Sequence, residues 1–218
     1  MIYVLVGDSC SGKDTILKEL LNRDKSLKKL ISTTTRPKRE NEVAGTDYNF
    51  ISKEEFLKLL DDGGFIEFRE YKSSSGDIWY YGTERNDSID LSKDYICIKD
   101  VMGAKALKHE YGANAEVLWV NAPISIRAQR AMLRDDYNPA EWKNRVKSDK
   151  KIFTRKNLSS CCSTIISNDG DLNKVTNLML DIINLRKGKV YPSGSHWFNL
   201  LDATNGNAGE AMGKMIGS

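Results

Sequence analysis

Residues that build metal centres and disulfide frameworks are scarce in this sequence. Its 218 residues include four cysteines and two histidines. Two of the cysteines, Cys161 and Cys162, are adjacent, and neither histidine lies near a cysteine cluster. We therefore expect free, reduced thiols, with neither a disulfide framework nor a zinc site.

Long apolar runs and a secretion signal are missing as well. No apolar run approaches the roughly 18 residues that a membrane-spanning helix needs. The chain begins MIYVLVGDSC, without a basic segment followed by a cleavable apolar stretch. These absences argue against a membrane protein and predict a soluble, cytoplasmic one.

A large excess of charge of one sign is the third absence. The 33 lysines and arginines and 30 aspartates and glutamates give a formal net charge of +3. This is too small to predict a nucleic-acid partner, so any anion site must come from local geometry. The remaining composition, with 40% hydrophobic and 29% charged residues, is typical of a globular domain. We expect a monomer or a homodimer.

Apolar runs of strand length alternate with stretches of helical period. The runs cover residues 2–6, 30–34, 95–98, 115–120 and 163–167. The helical patterns cover residues 15–21, 101–111, 124–133, 138–153 and 172–183. Short buried strands alternating with helices predict an α/β fold, a three-layer α/β/α arrangement with a parallel five-stranded core sheet.

Residues 35–92 interrupt this alternation. Turn signals there separate short β-like pieces and one helix near residues 53–61, so we expect an inserted mixed α+β subdomain. The core then comprises residues 1–34 and 93–186. Residues 187–218 hold six of the 16 glycines, which predicts a loosely attached C-terminal tail.

The first strand runs directly into a glycine-rich loop and then into a helix, the context of a phosphate-binding P-loop. Glycines let such a loop turn its amides inward, where they, the positive helix end and the Lys13 ammonium stabilise nucleotide phosphates. A plain glycine turn is the alternative. The pattern predicts a nucleotide site formed by Ser9, Cys10, Ser11, Gly12, Lys13, Asp14 and Thr15.

The position after the P-loop lysine departs from the usual pattern. A Ser or Thr that holds magnesium is usual there, whereas this chain has Asp14, and the hydroxyl follows at Thr15. Carboxylate and hydroxyl oxygens both suit a hard cation. We therefore predict Asp14 and Thr15 as magnesium ligands.

Two further motifs carry a family resemblance. Residues 32–50 read STTTRPKRENEVAGTDYNF, which resembles the S-x-T-T-R-x-x-R-x-x-E-x-x-G-x-D-Y-x-F run of guanylate kinases. Residues 65–68 (FIEF) and 80–83 (YYGT) resemble the F-[IL]-E and Y-Y-G-[ST] motifs of the same family. The resemblance extends from the P-loop to about residue 185. It implies a P-loop NTPase fold with a nucleoside-monophosphate-binding subdomain at residues 35–92 and a helical lid at about residues 127–150.

The residues in these motifs suit a nucleoside monophosphate. Arg36 and Arg39 offer planar forks for a dianionic phosphate, and Tyr48 and Tyr81 add hydroxyl donors without extra charge. A solvated basic turn is the alternative for the two arginines.

The resemblance further implies a guanine site. Glu67 is expected to accept from guanine N1 and N2, with Ser32 and Thr83 at the O6 and N7 edge. Adenine would leave a buried Glu67 unpaired, which makes such a site selective.

The third predicted core strand departs from the family's D-[IV]-[DE]-x-Q-G pattern. This chain reads IKDVMG at residues 98–103, so Ile98 replaces the first acid and Met102 replaces the glutamine. A strand-end carboxylate can hold magnesium through water, which adds Asp100 to the predicted metal ligands. A cap on the following helix is the alternative for Asp100.

Arginines follow the fourth strand. Arg127, Arg130 and Arg134 share a helix face, and Arg145 lies on the next helix, which resembles the arginine-bearing lid of the family. We favour Arg130, Arg134 and Arg145, with Lys13, as the catalytic set. Surface charges on an amphipathic helix are the alternative.

The last strand ends in Asn168. Residues 166–170 resemble the family's V-x-N-[DG] segment, which implies that Asn168 contacts the adenine of ATP. A turn former or a residue of the helix N-cap region is the alternative for Asn168.

The resemblance implies phosphorylation of GMP or dGMP by ATP, with Mg²⁺ bridging the donor phosphates. One alternative is a catalytically inactive guanylate-kinase-like module that captures phosphorylated ligands, although Lys13 and the lid arginines argue against it. Another is a P-loop kinase for a different nucleoside monophosphate or a sugar phosphate. The missing acid at Ile98 and the loop at residues 73–79 keep that reading open.

Overall fold

The computed structural model describes residues 1–72, 76–85, 89–135 and 137–187. These residues form nine strands, namely β1 (Ile2–Val6), β2 (Leu27–Lys29), β3 (Ser32–Thr34), β4 (Tyr48–Phe50), β5 (Phe65–Lys72), β6 (Ile78–Glu84), β7 (Asp94–Ile98), β8 (Ala115–Asn121) and β9 (Thr164–Ser167). They also form seven α-helices, namely α1 (Lys13–Arg23), α2 (Lys53–Asp61), α3 (Val101–Tyr111), α4 (Ile124–Met132), α5 (Pro139–Ile152), α6 (Arg155–Ser159) and α7 (Leu172–Arg186).

A parallel five-stranded sheet in the order β2-β7-β1-β8-β9 forms the core. All five residues of β1 are apolar or aromatic and buried, as a parallel strand covered on both faces requires. This confirms the predicted α/β class with a parallel five-stranded sheet. The carboxyl ends of β1, β7, β8 and β9 lie at one edge, which is where open α/β sheets bind ligands.

The second core strand lies three residues earlier than predicted. Residues 30–34 were expected in the core sheet, but Leu27–Lys29 fills that position beside β7. The prediction for 30–34 is therefore wrong. Pairing with β7 ends where the Leu30 N–H donates to the Ile96 carbonyl at 2.9 Å. Ser32–Thr34 then joins a different sheet, where the Thr34 hydroxyl donates to the Tyr80 carbonyl at 2.8 Å.

The second sheet is mixed and has the order β4-β3-β6-β5. β3 pairs in parallel with β4 and antiparallel with β6, and β5 and β6 are also antiparallel. Helix α2 begins at a capping box, in which Ser52 accepts from the Glu55 N–H and the Glu55 carboxylate accepts from the Ser52 N–H. The sheet places the three predicted guanine-site residues, Ser32, Glu67 and Thr83, on the neighbouring strands β3, β5 and β6.

Two units divide the chain, Met1–Asn177 and Leu178–Ser218. The first contains both sheets. Of the second, the structure describes residues 178–187, the last turns of α7 and one residue beyond them. The predicted tail at residues 187–218 lies outside the described residues except for Lys187. The predicted division into core, inserted subdomain and tail stays a prediction.

Candidate active site

The loop between β1 and α1 is held tightly by its surroundings. A Cβ at Gly7 would lie 2.3 Å from the Val120 carbonyl oxygen, and one at Gly12 would lie 2.5 Å from Asn168 Nδ2. Gly12 also has a φ of +96°, in the left-handed region that favours glycine. Cys10 has a φ of 61°, uncommon for a side-chain-bearing residue. The loop is therefore a specific strand-to-helix connection rather than a plain glycine turn.

Lys13 folds back against this loop. Its Nζ donates to the Gly7 carbonyl at 2.7 Å and to the Asp8 carbonyl at 2.9 Å. Burial lowers the pKa of the Lys13 ammonium below its ordinary value, while the neighbouring carboxylate of Asp14 opposes the shift. These contacts hold one cation at the rim of a cavity.

That cavity, of about 330 Å³, lies beside the start of α1 and is called the donor cavity below. Ser9 and Ser11 were predicted to belong to the nucleotide site, but they do not line the donor cavity. Ser11 is fully buried, and Ser9 faces helix α5 instead. Eight predicted site residues line the donor cavity: Cys10, Gly12, Lys13, Asp14, Thr15, Arg130, Arg134 and Asn168.

Arg130 and Asn168 fasten the loop from the opposite side. Asn168 Nδ2 donates to the Ser11 carbonyl at 2.7 Å, and Arg130 Nη1 donates to the same oxygen at 3.0 Å. Arg130 Nη2 also donates to Asn168 Oδ1 at 3.2 Å. Desolvation lowers the pKa of the Arg130 guanidinium. These two side chains thus belong to one hydrogen-bonded wall of the donor cavity.

A buried ion cluster joins the loop to α4 and α5. The Ser9 N–H and hydroxyl donate to the Asp149 carboxylate at 2.8 and 3.1 Å. Arg127 Nη1 lies 3.2 Å from Asp149 Oδ2 and 3.3 Å from Asp8 Oδ1. Burial, aided by the charge of Asp149, raises the pKa of Asp8, which Arg127 opposes. Sequence reasoning missed Asp149, because its contact with Ser9 spans 140 residues and no local motif marks it.

The other two predicted catalytic arginines, Arg134 and Arg145, line a groove next to the donor cavity. Arg134 lies just after α4, which ends at Met132, so the prediction that it shares a helix face with Arg127 and Arg130 is wrong; it lines both the donor cavity and this groove. Arg145 lines the groove and also a larger cavity of about 540 Å³, together with Arg39. Arg145 is paired with Glu141 one helical turn earlier, which raises the pKa of its guanidinium. The groove therefore shares Arg134 with the donor cavity and Arg145 with the larger cavity.

An ion pair between buried Arg36 and partly exposed Glu42 lies within the motif at residues 32–50, which is called the acceptor motif below. Arg36 Nη2 donates to Glu42 Oε1 at 2.6 Å, and the Arg39 N–H donates to Glu42 Oε2 at 2.9 Å. This pairing raises the pKa of Arg36 and holds the pKa of Glu42 below its ordinary value. The Arg36 guanidinium lies 5.6 Å from the ring centre of Tyr48, which in turn meets Tyr81 edge to face at 6.0 Å. Glu42 was visible in the motif but was not singled out as a site residue.

A smaller cavity of about 160 Å³, called the acceptor cavity below, lies at the junction of the two sheets. Ser32, Tyr48, Glu67 and Tyr81 line it, together with Lys99. The predicted residue Thr83 is buried behind this lining, where its hydroxyl donates to Glu67 Oε1 at 2.6 Å.

Lys99, which sequence reasoning did not select, completes the polar floor of the acceptor cavity. Its Nζ lies 3.1 Å from Glu67 Oε1 and donates to the Ser32 hydroxyl at 2.7 Å. A charged residue directly after a buried strand was the available signal.

Asp100 lies apart from the other two predicted metal ligands. It accepts from the Gly103 N–H at 2.8 Å, capping α3, and from Arg69 Nη2 at 2.8 Å. It lines the acceptor cavity, whereas Asp14 and Thr15 line the donor cavity. Among the residues that the structure describes, no group of three or more His, Cys, Asp or Glu side chains could hold a metal ion.

Comparison with known proteins decides the family. Residues 1–184 match the family model described as guanylate kinase. The chain belongs to the guanylate kinase family. In the part of the chain described by the structure, no helix is both long and apolar enough to cross a membrane.

Individual guanylate kinases show how far the similarity extends. The guanylate kinase of Symbiobacterium thermophilum is 34% identical over 142 residues, which cover 64% of this chain and 65% of the relative. That of Thermotoga maritima is 39% identical over 125 residues, which cover 56% of this chain and 58% of the relative. The chain thus spans less than two thirds of the length of these relatives. A crystal structure of guanylate kinase from Anaplasma phagocytophilum superposes with a TM-score of 0.64 at 23% identity, covering 87% of each chain, and supports the shared fold.

Proposed function

We propose that this protein transfers the terminal phosphoryl group of ATP to GMP or dGMP, forming ADP and GDP or dGDP. The observation that carries the proposal is the juxtaposition of two chemically different cavities. The donor cavity is lined by Lys13 and the P-loop, and the acceptor cavity by Glu67. The groove shares Arg134 with the donor cavity, the larger cavity shares Tyr81 with the acceptor cavity, and Arg145 lines both the groove and the larger cavity. The names of the relatives, all guanylate kinases, support the same reaction.

On the donor side, the loop amides, the start of α1 and the Lys13 ammonium bind the ATP phosphates. Asp14 and Thr15 line the same cavity and offer the hard oxygens that magnesium prefers. Magnesium typically takes one or two protein carboxylates and completes its shell with phosphate and water, so this pair fits it. When bound there, the ion would neutralise charge on the donor phosphates. Asp100 is better explained as the α3 cap.

On the acceptor side, Arg36, Arg39, Tyr48 and Tyr81 bind the monophosphate. The Arg36–Glu42 pair fixes one guanidinium in place, and the two hydroxyls add donors without charge. Glu67 accepts from the N1–H and the 2-amino group of guanine. The acceptor base is therefore held at one end of the site and its phosphate at the other.

Between the cavities, Arg130, Arg134 and Arg145 act with Lys13 on the transferring group. Phosphoryl transfer asks for positioning and charge stabilisation rather than covalent chemistry from the protein. The attacking phosphate oxygen of the acceptor forms the new P–O bond while the bond to ADP breaks, in line. Arg130 on α4, Arg134 in the connection that follows α4, and Arg145 on α5 belong to the proposed lid at about residues 127–150, which excludes water.

A panel of acceptors tests the proposal. ADP production is measured with ATP and magnesium against GMP, dGMP, AMP, dTMP, CMP and UMP, with Lys13→Ala as the control for a contaminating kinase. We expect turnover with GMP and dGMP that greatly exceeds turnover with AMP.

The other outcomes separate the alternatives. Turnover with a different acceptor alone would keep the kinase and overturn the guanine assignment. No turnover while GMP still binds would favour a binding module for phosphorylated ligands and would overturn the proposed reaction.

A further inference from the structure

Lys99 is a buried charge at the floor of the acceptor cavity. Its side chain is 7% exposed, and that of its partner Glu67 is 11% exposed. The family motif has Ile or Val at this position, between two acids of which this chain keeps only Asp100. Burial of an ammonium costs free energy unless the group is paired and hydrogen-bonded. Glu67 and Ser32 provide these contacts for Lys99, so the three side chains form a specific polar site.

We propose that Lys99 determines acceptor specificity by donating a hydrogen bond to the keto oxygen beside the N–H that Glu67 recognises. This inference rests on the proposed function and names the group that reads one edge of the acceptor base. An ammonium has three N–H donors, and the described contacts engage two of them, with Glu67 and Ser32. A donor next to a carboxylate acceptor is therefore available in the cavity wall.

This donor–acceptor pair matches one class of base. Guanine and hypoxanthine present a keto oxygen beside an N–H, so Lys99 donates to O6 while Glu67 accepts from N1–H. Adenine and cytosine present the reverse, an amino group beside an unprotonated ring nitrogen. With those bases the Lys99 donor would face an amino donor, and the carboxylate of Glu67 would face a lone pair. Lys99 and Glu67 together thus select an NH–C=O edge.

The geometry also assigns separate atoms to the two residues. Thr83 and Lys99 both contact Oε1 of the Glu67 carboxylate. The other oxygen, Oε2, lies beside Gly103, where a Cβ added to the glycine would be 3.3 Å from Oε2. Glu67 thus retains an oxygen for the base N–H groups. Loss of Lys99 should therefore affect recognition of position 6 and leave recognition of the 2-amino group unchanged.

Three acceptors that differ by single groups test this assignment. GMP carries all the groups, 6-thio-GMP replaces O6 by a weaker sulfur acceptor, and IMP lacks only the 2-amino group. Steady-state kinetics are measured for each with the wild-type protein, Lys99→Met and Lys99→Gln. Lys28→Met, which removes an exposed lysine of β2, is the matched control.

We expect Lys99→Met to raise the KM for GMP by about tenfold to a hundredfold, the loss of one charged hydrogen bond, with kcat little changed. The preference for GMP over 6-thio-GMP should collapse towards equality, while the preference for GMP over IMP stays within about twofold of wild type. Lys99→Gln, which keeps a neutral donor, should be intermediate. Because each preference is a ratio within one variant, a reduced folded fraction cancels out.

Two results would overturn the assignment. If KM for GMP is unchanged in Lys99→Met, Lys99 does not contact the base. If all three acceptors weaken by the same factor, Lys99 acts only as a counter-ion to Glu67.

Calorimetric binding of GMP and 6-thio-GMP without ATP separates this inference from the proposed reaction. Lys99-dependent discrimination in binding without any turnover would preserve the inference and contradict the kinase. Turnover of GMP with no effect of Lys99 would do the opposite.

Discussion

At the scale of single residues, the charged groups of the site are fixed by specific neighbours. Lys13 is held by the Gly7 and Asp8 carbonyls, and Arg36 is held by Glu42. Preorganised charge costs little reorganisation during the reaction, which is why such groups contribute to catalysis more than free surface charges do. Substitutions of Lys13 and of residues around Arg36 should therefore have distinct effects.

Replacement of Lys13 by alanine should lower kcat by about 100-fold or more, because the cation at the transferring phosphoryl group is lost. The thermal midpoint should change by only a few degrees. Lys18→Ala, on the exposed face of the same helix, is the matched control and should behave as wild type. Turnover near that of wild type in Lys13→Ala would contradict the mechanism.

Replacement of Arg39 by alanine should raise the KM for GMP by about tenfold or more and leave the KM for ATP within about twofold. The reason is that Arg39 is assigned to the acceptor phosphate alone. Kinetics with each substrate varied in turn provide the measurement, with the neighbouring Lys38→Ala as control. Equal losses for both substrates would refute the assignment of Arg39.

Glu42 should give the fold an acid-sensitive contribution. Its pKa lies below the ordinary 4.5 because Arg36 stabilises the carboxylate. The contribution is therefore complete above about pH 4.5 and is lost as the pH falls through the lowered pKa. Urea unfolding of wild type and Glu42→Gln across pH should show a constant stability difference at neutral pH that shrinks in acid. A difference that grows in acid would show that the pKa of Glu42 is raised instead.

At the scale of elements, the carboxylate of Asp149 connects helix α5 to the P-loop. Asp149→Ala should lower the free energy of unfolding by about 2–3 kcal/mol, because the Ser9 N–H loses its partner and Arg127 loses one of its two carboxylate partners. Lys150→Ala, its exposed neighbour, should stay within about 0.5 kcal/mol of wild type. Denaturant unfolding measures both, and equal stabilities would show that this contact contributes nothing.

Elements with local signals were predictable from the sequence, and those decided by distant partners were not. Helices α2 and α3 have their predicted bounds, since the Ser52 capping box and the Asp100 cap fix their starts. Residues 30–34 read as a core strand, but pairing with β4 and β6 takes Ser32–Thr34 into the second sheet. Sequence motifs predicted the P-loop, the residues of the acceptor motif and the guanine-site residues. They did not predict the contact of Asp149 with Ser9, because no motif connects these two residues.

At the scale of the whole molecule, the family match covers residues 1–184. A chain ending at Arg186 should therefore keep the thermal midpoint and the GMP-dependent turnover of the full chain. Differential scanning fluorimetry and the acceptor assay on both chains provide the comparison. A large fall in either quantity would refute the prediction that residues 187–218 are dispensable.

The proposed function requires transfer of a phosphoryl group from ATP to GMP. Direct quantification of nucleotides after incubation with ATP, GMP and magnesium tests it, by chromatographic separation of ADP and GDP. We expect equal amounts of ADP and GDP, both abolished in Lys13→Ala. ADP without GDP would show hydrolysis rather than transfer, and neither product would contradict the assignment of this chain as a kinase.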